Sequence, residues 1–189
     1  MSAMTATSTP PRRGLPPGPI TRAVLADLPD DGHRYELIDG ALIVSAAPRI
    51  HHQRVLGALY LLLHDAVPAD LEVLFAPVDV VLADDTVVEP DLVIARRSDL
   101  TERDLPAAPV LAVEVLSPST RGIDLLLKKD RLERAGCAHY WVIDPAVPAI
   151  RAWALEHGRY TEVGAAQADE ALQITTPITV EIVPSRLVG

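Results

Sequence analysis

Two carboxylates occupy positions where a carboxylate is costly. Asp91 and Glu114 stand 23 positions apart, the first leading into Leu92-Val93-Ile94 and the second inside Leu111-Ala112-Val113-Glu114-Val115-Leu116. A charge buried in such a run must neutralise, pair with a cation or bind a metal. If the two runs are neighbouring strands, both carboxylates can converge on one divalent cation, with the backbone carbonyl of Val115 or a water adding an oxygen. Oxygen donors suit Mg²⁺, which keeps several waters, activates a nucleophilic water and neutralises phosphate charge. The competing reading gives Asp91 to a turn and Glu114 to a structural salt bridge.

Lys128 and Lys129 are the only lysines. Lys128 follows Asp124 by four positions, so on a helix the two share a face, and that face can return the ammonium to the carboxylates. There it would orient water or stabilise phosphoryl charge. Lys129 points about 100° away and reads as surface, and a solvated Lys-Lys pair is the alternative for both. His52, near the start of a long helix, either donates to a phosphate or polarises a water, or serves only packing. Arg121, Arg131, Arg134 and Arg151 are candidates for a local phosphate-facing patch, because the guanidinium fork matches phosphate oxygens. Ser117, Ser119 and Thr120 lack the Gly-x-Ser-x-Gly pattern of a nucleophile elbow, and helix capping explains them more economically.

The elements that must position these groups follow from periodicity. A short helix over Ile20 to Leu28 precedes a Pro29-Asp30-Asp31-Gly32 turn. Tyr35-Glu36-Leu37-Ile38 and Ala41-Leu42-Ile43-Val44 form a hairpin around Asp39-Gly40, a pair suited to the positive backbone angles of a type I′ turn. Val55, Leu56, Leu59, Leu62 and Leu63 predict one amphipathic helix from about Ile50 to His64. Strands follow at Leu71 to Phe75 and Val78 to Leu82, a polar turn at Asp84-Asp85-Thr86, and a strand after Pro90. The segment from Val110 to Leu116 reads as a central strand covered on both faces. A helix from Leu125 to Ala135 stops near Gly136, and a strand covers His139 to Ile143. Arg151 to Leu155 and Tyr160 to Val163 form a second hairpin, Gly164 to Glu170 a loop, and the tail from Leu172 carries weaker strand signals. This order predicts an α/β or α+β fold with helices flanking a central mixed sheet.

Composition bounds the function. The 189 residues, 49% hydrophobic, suffice for one domain, placed over residues 20–189 behind a flexible, proline-rich lead-in over residues 1–19. With 17 Lys plus Arg against 26 Asp plus Glu, the formal charge of -9 argues against coating nucleic acid or anionic membrane by bulk electrostatics, but not against a local cationic site. Cys137 is the only cysteine, which excludes an intramolecular disulfide and a multi-cysteine metal site. The sequence lacks both a run of roughly 18 apolar residues and a secretory signal, so the expectation is a cytoplasmic protein with no membrane partner.

The ordered fragments Tyr35-Glu36-Leu37-Ile38-Asp39-Gly40, His52-Gln53, Glu89-Pro90-Asp91-Leu92 and Val113-Glu114-Val115-Leu116-Ser117-Pro118-Ser119-Thr120 continue through Asp124 and Lys128 to Ala135-Gly136 and Tyr140-Trp141-Val142-Ile143-Asp144-Pro145. In this the chain resembles the Uma2 family of restriction-endonuclease-like proteins, within the broader PD-(D/E)XK nuclease-like group. The resemblance implies a restriction-endonuclease-like mixed sheet flanked by helices, and metal-dependent cleavage of DNA phosphodiester bonds. Asp91 matches the first acidic position and Glu114 the second. Glu36 resembles an early acidic position that completes the metal shell or orients water, although an edge-strand charge explains it as well. The usual Glu-x-Lys is absent, because Leu116 stands where the lysine would be, and Lys128 matches the family's helical lysine.

The leading expectation is therefore a Mg²⁺-dependent DNA endonuclease, with Mn²⁺ as a substitute ion and no organic cofactor. Asp91, Glu114 and Val115 would hold metal, Lys128 would support the attacking water, and Glu36 and His52 would assist. A homodimer addressing both DNA strands is part of the same expectation. Two alternatives stand beside it: a degenerate member that binds nucleic acid or protein without cleavage, and a small-molecule phosphoesterase.

Overall fold

The computed structural model describes residues 20–29 and 31–188, so the lead-in read as flexible over residues 1–19 lies outside the described residues. A single helical turn, α1 (Arg22–Ala26), stands where a longer helix was expected. The first hairpin pairs β1 (Arg34–Ile38) with β2 (Ala41–Ser45), and both turn residues, Asp39 (φ 49°) and Gly40 (φ 79°), adopt the positive angles a type I′ turn demands. The long helix α2 (Ile50–His64) buries Val55, Leu56, Leu59 and Leu63, each contributing about 1.5–3 kcal/mol of burial.

Next come β3 (Leu71–Phe75), β4 (Asp79–Ala83), β5 (Thr86–Val88), β6 (Leu92–Arg96), β7 (Asp104–Leu105) and β8 (Leu111–Val115). A π-helical turn, Ile123–Lys128, leads into α3 (Lys129–Ala135). The chain ends with β9 (His139–Asp144), β10 (Ala149–Glu156), β11 (Arg159–Gln167), β12 (Leu172–Ile174), β13 (Val180–Ile182) and α4 (Pro184–Val188).

These strands form a six-stranded sheet in the order β11-β10-β9-β8-β6-β3, a five-stranded sheet β2-β1-β5-β4-β7, and the pair β12-β13. The sheets are mixed: β8 and β9 run parallel, as do β4 and β7, and the other pairs are antiparallel. The fold is α+β, as expected. On one face of the six-stranded sheet, Val113, Val115, Trp141 and Ile143 pack with the apolar side of α2. On the other, Ala112, Leu116, Tyr140 and Val142 pack with Leu132 of α3 and with Ile38, Val80 and Val88 of the five-stranded sheet. Period-two geometry gives Glu114 the face of Ala112 and Leu116, so its carboxylate enters the layer between sheet and helix.

Three local expectations are corrected. Strand β5 takes Thr86 from the segment read as a polar turn and extends through the next two valines, because Val87 and Val88 acquire partners only when β1 and β4 flank them. The stretch from Gly164 to Gln167, read as loop, continues β11 along β10, and a Cβ at Gly164 would come 2.6 Å from Leu172 Cδ1, so close approach explains the glycine. The helix α4, unforeseen, sets Leu187 into the cluster beneath α2.

Candidate active site

Strand order converts a sequence separation into a contact. β6 and β8 are antiparallel neighbours with Leu92 opposite Val113, which sets Asp91, just before β6, beside Glu114 and Val115. The Asp91 carboxylate is 3% exposed: its Oδ2 accepts from the Val115 N–H at 2.9 Å and faces His52 Nε2 at 3.0 Å, while Oδ1 accepts from Arg34 Nη1 at 3.0 Å. Burial pushes its pKa up, but the His52 hydrogen bond and charge, Arg34 and the Val115 N–H outweigh burial and hold it at about 2. Val115 thus meets the Asp91 carboxylate through its N–H.

Glu114 is 1% exposed and Lys128 likewise 1%. Lys128 Nζ lies 2.8 Å from Glu114 Oε1, 2.8 Å from Glu36 Oε1 and 3.8 Å from Asp124 Oδ1. The π-helical turn that carries Lys128 is pinned where Tyr140 Oη donates to the Asp124 carbonyl at 2.8 Å, and such wide turns are frequent at functional sites. Burial disfavours the Lys128 ammonium, yet the three carboxylates overcome this and raise its pKa. Glu114 goes the other way: burial lifts its carboxyl well above the usual range, Lys128 offsets only part, and Asp124, Asp91 and Glu36 add to the rise. Glu36 Oε1 also accepts the Glu89 N–H at 2.7 Å, so the early acid is tied into the cluster.

Two members were not anticipated. Arg34 reaches Asp91 and also donates to the Glu89 carbonyl at 3.3 Å. Glu89, largely buried, has its pKa lifted to about 7 by burial, against the pull of Arg34. The signal for Arg34 was present, since it stands two positions before Glu36 on one strand and so shares its face. Arg34, His52, Asp91, Glu114 and Lys128 all line one cavity of about 440 Å³.

The four arginines read as a phosphate patch are distributed, each against an acid. Arg131 Nε lies 3.1 Å from Asp39 Oδ1, and Arg134 Nη2 lies 2.7 Å from Asp39 Oδ2, so both tie α3 to the first hairpin turn. Arg121 pairs with Asp144 and Arg151 with Glu162, and these two border a second cleft on the far side of Leu116. Ser117 caps its turn, with Oγ accepting the Thr120 N–H at 3.2 Å.

The donor set fits a hard divalent cation. The carboxylates of Asp91, Glu114, Glu36, Asp124 and Glu89 are answered by two permanent cations, Arg34 and Lys128. Burial raises the pKa values of Glu114, Glu89 and Asp124, the last to about 6, and the neighbouring carboxylates add to each rise. Among the described residues no three His, Cys, Asp or Glu side chains are already drawn up as a cation cage, so the oxygens offer a partial site that waters would complete.

Residues 24–183 match the family model of Uma2, whose description reads "Putative restriction endonuclease". The chain belongs to the Uma2 family. No curated protein matches it. Among solved structures, the Uma2 chain is similar to one from Anabaena variabilis titled a "putative nuclease belonging to DUF820". The TM-score is 0.71 at 16% identity, covering 90% of this chain and 100% of the other. That likeness shows a shared fold. Among the described residues of this Uma2 protein, no helix is long and apolar enough to cross a membrane.

Proposed function

We propose that this Uma2 protein is a divalent-metal-dependent endonuclease that hydrolyses DNA phosphodiester bonds. The observation that carries the reading is the buried meeting of Asp91 and Glu114 on adjacent strands, with the Lys128 ammonium 2.8 Å from Glu114 at the same cavity. Asp91 and Glu114 would hold Mg²⁺, or Mn²⁺ in its place, and the bound ion supplies charge neutralisation and a more acidic water. Lys128 takes over the charge that Leu116 cannot provide, approaching from the π-helical turn instead of from β8. Glu36 fixes the ammonium, and Lys128 in turn stabilises charge growing on the phosphoryl oxygens. His52, with Nε2 3.0 Å from Asp91 Oδ2, orients that carboxylate for the metal. Arg121 and Arg151, in the adjoining cleft, would steady the backbone, and a homodimer would bring a second site to the opposite strand.

Plasmid nicking in Mg²⁺ tests the reading. Asp91→Ala and Glu114→Ala, each checked for folding by circular dichroism, should lose about a hundredfold or more of the rate, the scale of losing one preorganised charge partner. Wild-type turnover in the presence of chelator, or full activity in both variants, would remove the assignment. The saturation of Lys128 by Glu36 and Glu114 supports one other reading, a nucleic-acid-binding member without turnover, which retained DNA affinity with no Mg²⁺-dependent cleavage would reveal.

A further inference from the structure

Asp91 has more partners than a metal ligand needs. Its Oδ2 already accepts from the Val115 N–H and faces His52 Nε2, which orders the carboxylate without help. Oδ1, the oxygen left over, is taken by Arg34 Nη1 at 3.0 Å. A divalent cation on that oxygen would crowd a second positive charge against the guanidinium, and the two repel. Besides Asp91, Arg34 is held only by Glu89, whose carbonyl accepts from Nη1 at 3.3 Å and whose Oε2 stands 3.6 Å from Nε; its Nη2 has no hydrogen-bond partner among the described residues, and its side chain is 21% exposed. It lines the cavity, and a guanidinium is the side chain best matched to two oxygens of a phosphate.

We propose that Arg34 is a gate between cation and phosphate: it holds Asp91 while the cavity is empty and turns to a non-bridging oxygen of the DNA backbone when that enters, releasing Oδ1 to the metal. The inference rests on the endonuclease reading above and adds to it a coupling between the two ligands. The empty enzyme discriminates against free cations, and substrate binding assembles the site. By linkage, whatever DNA does to metal affinity, metal does equally to DNA affinity.

The test measures two affinities of opposite expected sign. Mg²⁺ is titrated into DNA-free protein by calorimetry, and a short DNA duplex is titrated in chelator by fluorescence anisotropy, both at fixed ionic strength, for wild type and Arg34→Gln. Loss of the competing charge should tighten Mg²⁺ binding about tenfold, within the usual range of coupling between sites. Loss of the phosphate contact should weaken duplex binding about tenfold, the scale of one charge-assisted hydrogen bond. Damage to the fold would weaken both, and a purely supporting role toward Asp91 would weaken Mg²⁺ binding and leave DNA unchanged; either result overturns the gate. Should Arg34→Gln not fold, Arg34→Met, which also removes the charge and keeps much of the side chain's length, carries the same comparison, with shifts in the same directions expected and unchanged affinities overturning the proposal. Wild type that binds Mg²⁺ while the variant binds it equally well refutes the gate alone, whereas wild type that binds neither Mg²⁺ nor DNA removes the endonuclease reading and the gate with it.

Discussion

Adjacent lysines illustrate how far one residue's burial can separate chemically identical neighbours. Lys128 is enclosed by Glu36, Glu114 and Asp124, while Lys129 lies half-buried with its Nζ 4.5 Å above the Trp153 ring. Breaking a buried ion pair by removing one partner strands the other, so Lys128→Met should cost about 3–5 kcal/mol. The matching Lys129→Met loses cation–π contacts with Trp153 and Tyr160, about 0.5–1 kcal/mol each. Urea unfolding at neutral pH measures both, and equal losses would mean that the Lys128 cluster is not the closed unit described. Under the endonuclease reading, Lys128→Met also lowers single-turnover cleavage about a hundredfold, with Lys129→Met near wild type.

Among the elements, two glycines with equal free space have opposite conformational demands. Gly136 closes α3 in the left-handed region at φ 84°, and its N–H bonds back to the Glu133 carbonyl at 3.0 Å. Gly57 lies exposed within α2. A Cβ at either position would meet nothing within 4 Å, so the outcome is decided by backbone angle alone. Gly136→Ala should destabilise by about 1–2 kcal/mol, the left-handed cost for a residue with a Cβ, whereas Gly57→Ala should stabilise by up to about 1 kcal/mol. Thermal denaturation of the two variants checks the signs. The same geometry makes the Asp39-Gly40 turn more than a reversal, since Asp39 carries both Arg131 and Arg134 and so fastens the first hairpin to α3.

For the molecule as a whole, the burial of a carboxylate cluster sets an unusual pH dependence. Glu89, lifted to about 7, Asp124, lifted to about 6, and Glu114, also raised, all bind protons more tightly folded than unfolded. Such groups contribute stability that is fully present below their unfolded pKa, near 4, and is lost as pH rises through the folded values. Asp91, held at about 2, works in the opposite direction but only below pH 4. The formal charge of -9 adds repulsion of the same sign above the pI of about 5.0. Metal-free protein should therefore melt at a higher temperature at pH 5 than at pH 7.5, and Glu89→Gln should shrink the difference. Under the endonuclease reading, Mg²⁺ at pH 7.5 should restore melting temperature by binding only the folded state. A melting temperature that rises from pH 5 to 7.5 without metal would show the cluster to be compensated.

Much of this was legible along the chain because its cause is local. The Asp39-Gly40 turn, the apolar stripe of α2, the alternation around Glu114 and the Gly136 stop each arise from a few neighbouring residues, and all appear where periodicity and turn chemistry place them. The resemblance to Uma2 singled out Asp91, Glu114, Lys128, Glu36 and His52, and the fold gathers all five around one cavity. What only the tertiary structure decided was pairing over long separations. β5 is a strand because β1 and β4 flank it, Gly164 belongs to β11 because it pairs with Ala152 of β10, and four arginines are taken up by Asp39, Asp144 and Glu162. Period two puts Arg34 on the face of Glu36, but its contact with Asp91, 57 positions away, is set by which strands are neighbours. Its role depends on which strand lies beside which, and that is settled by packing two sheets and a helix around charges that no single segment could bury alone.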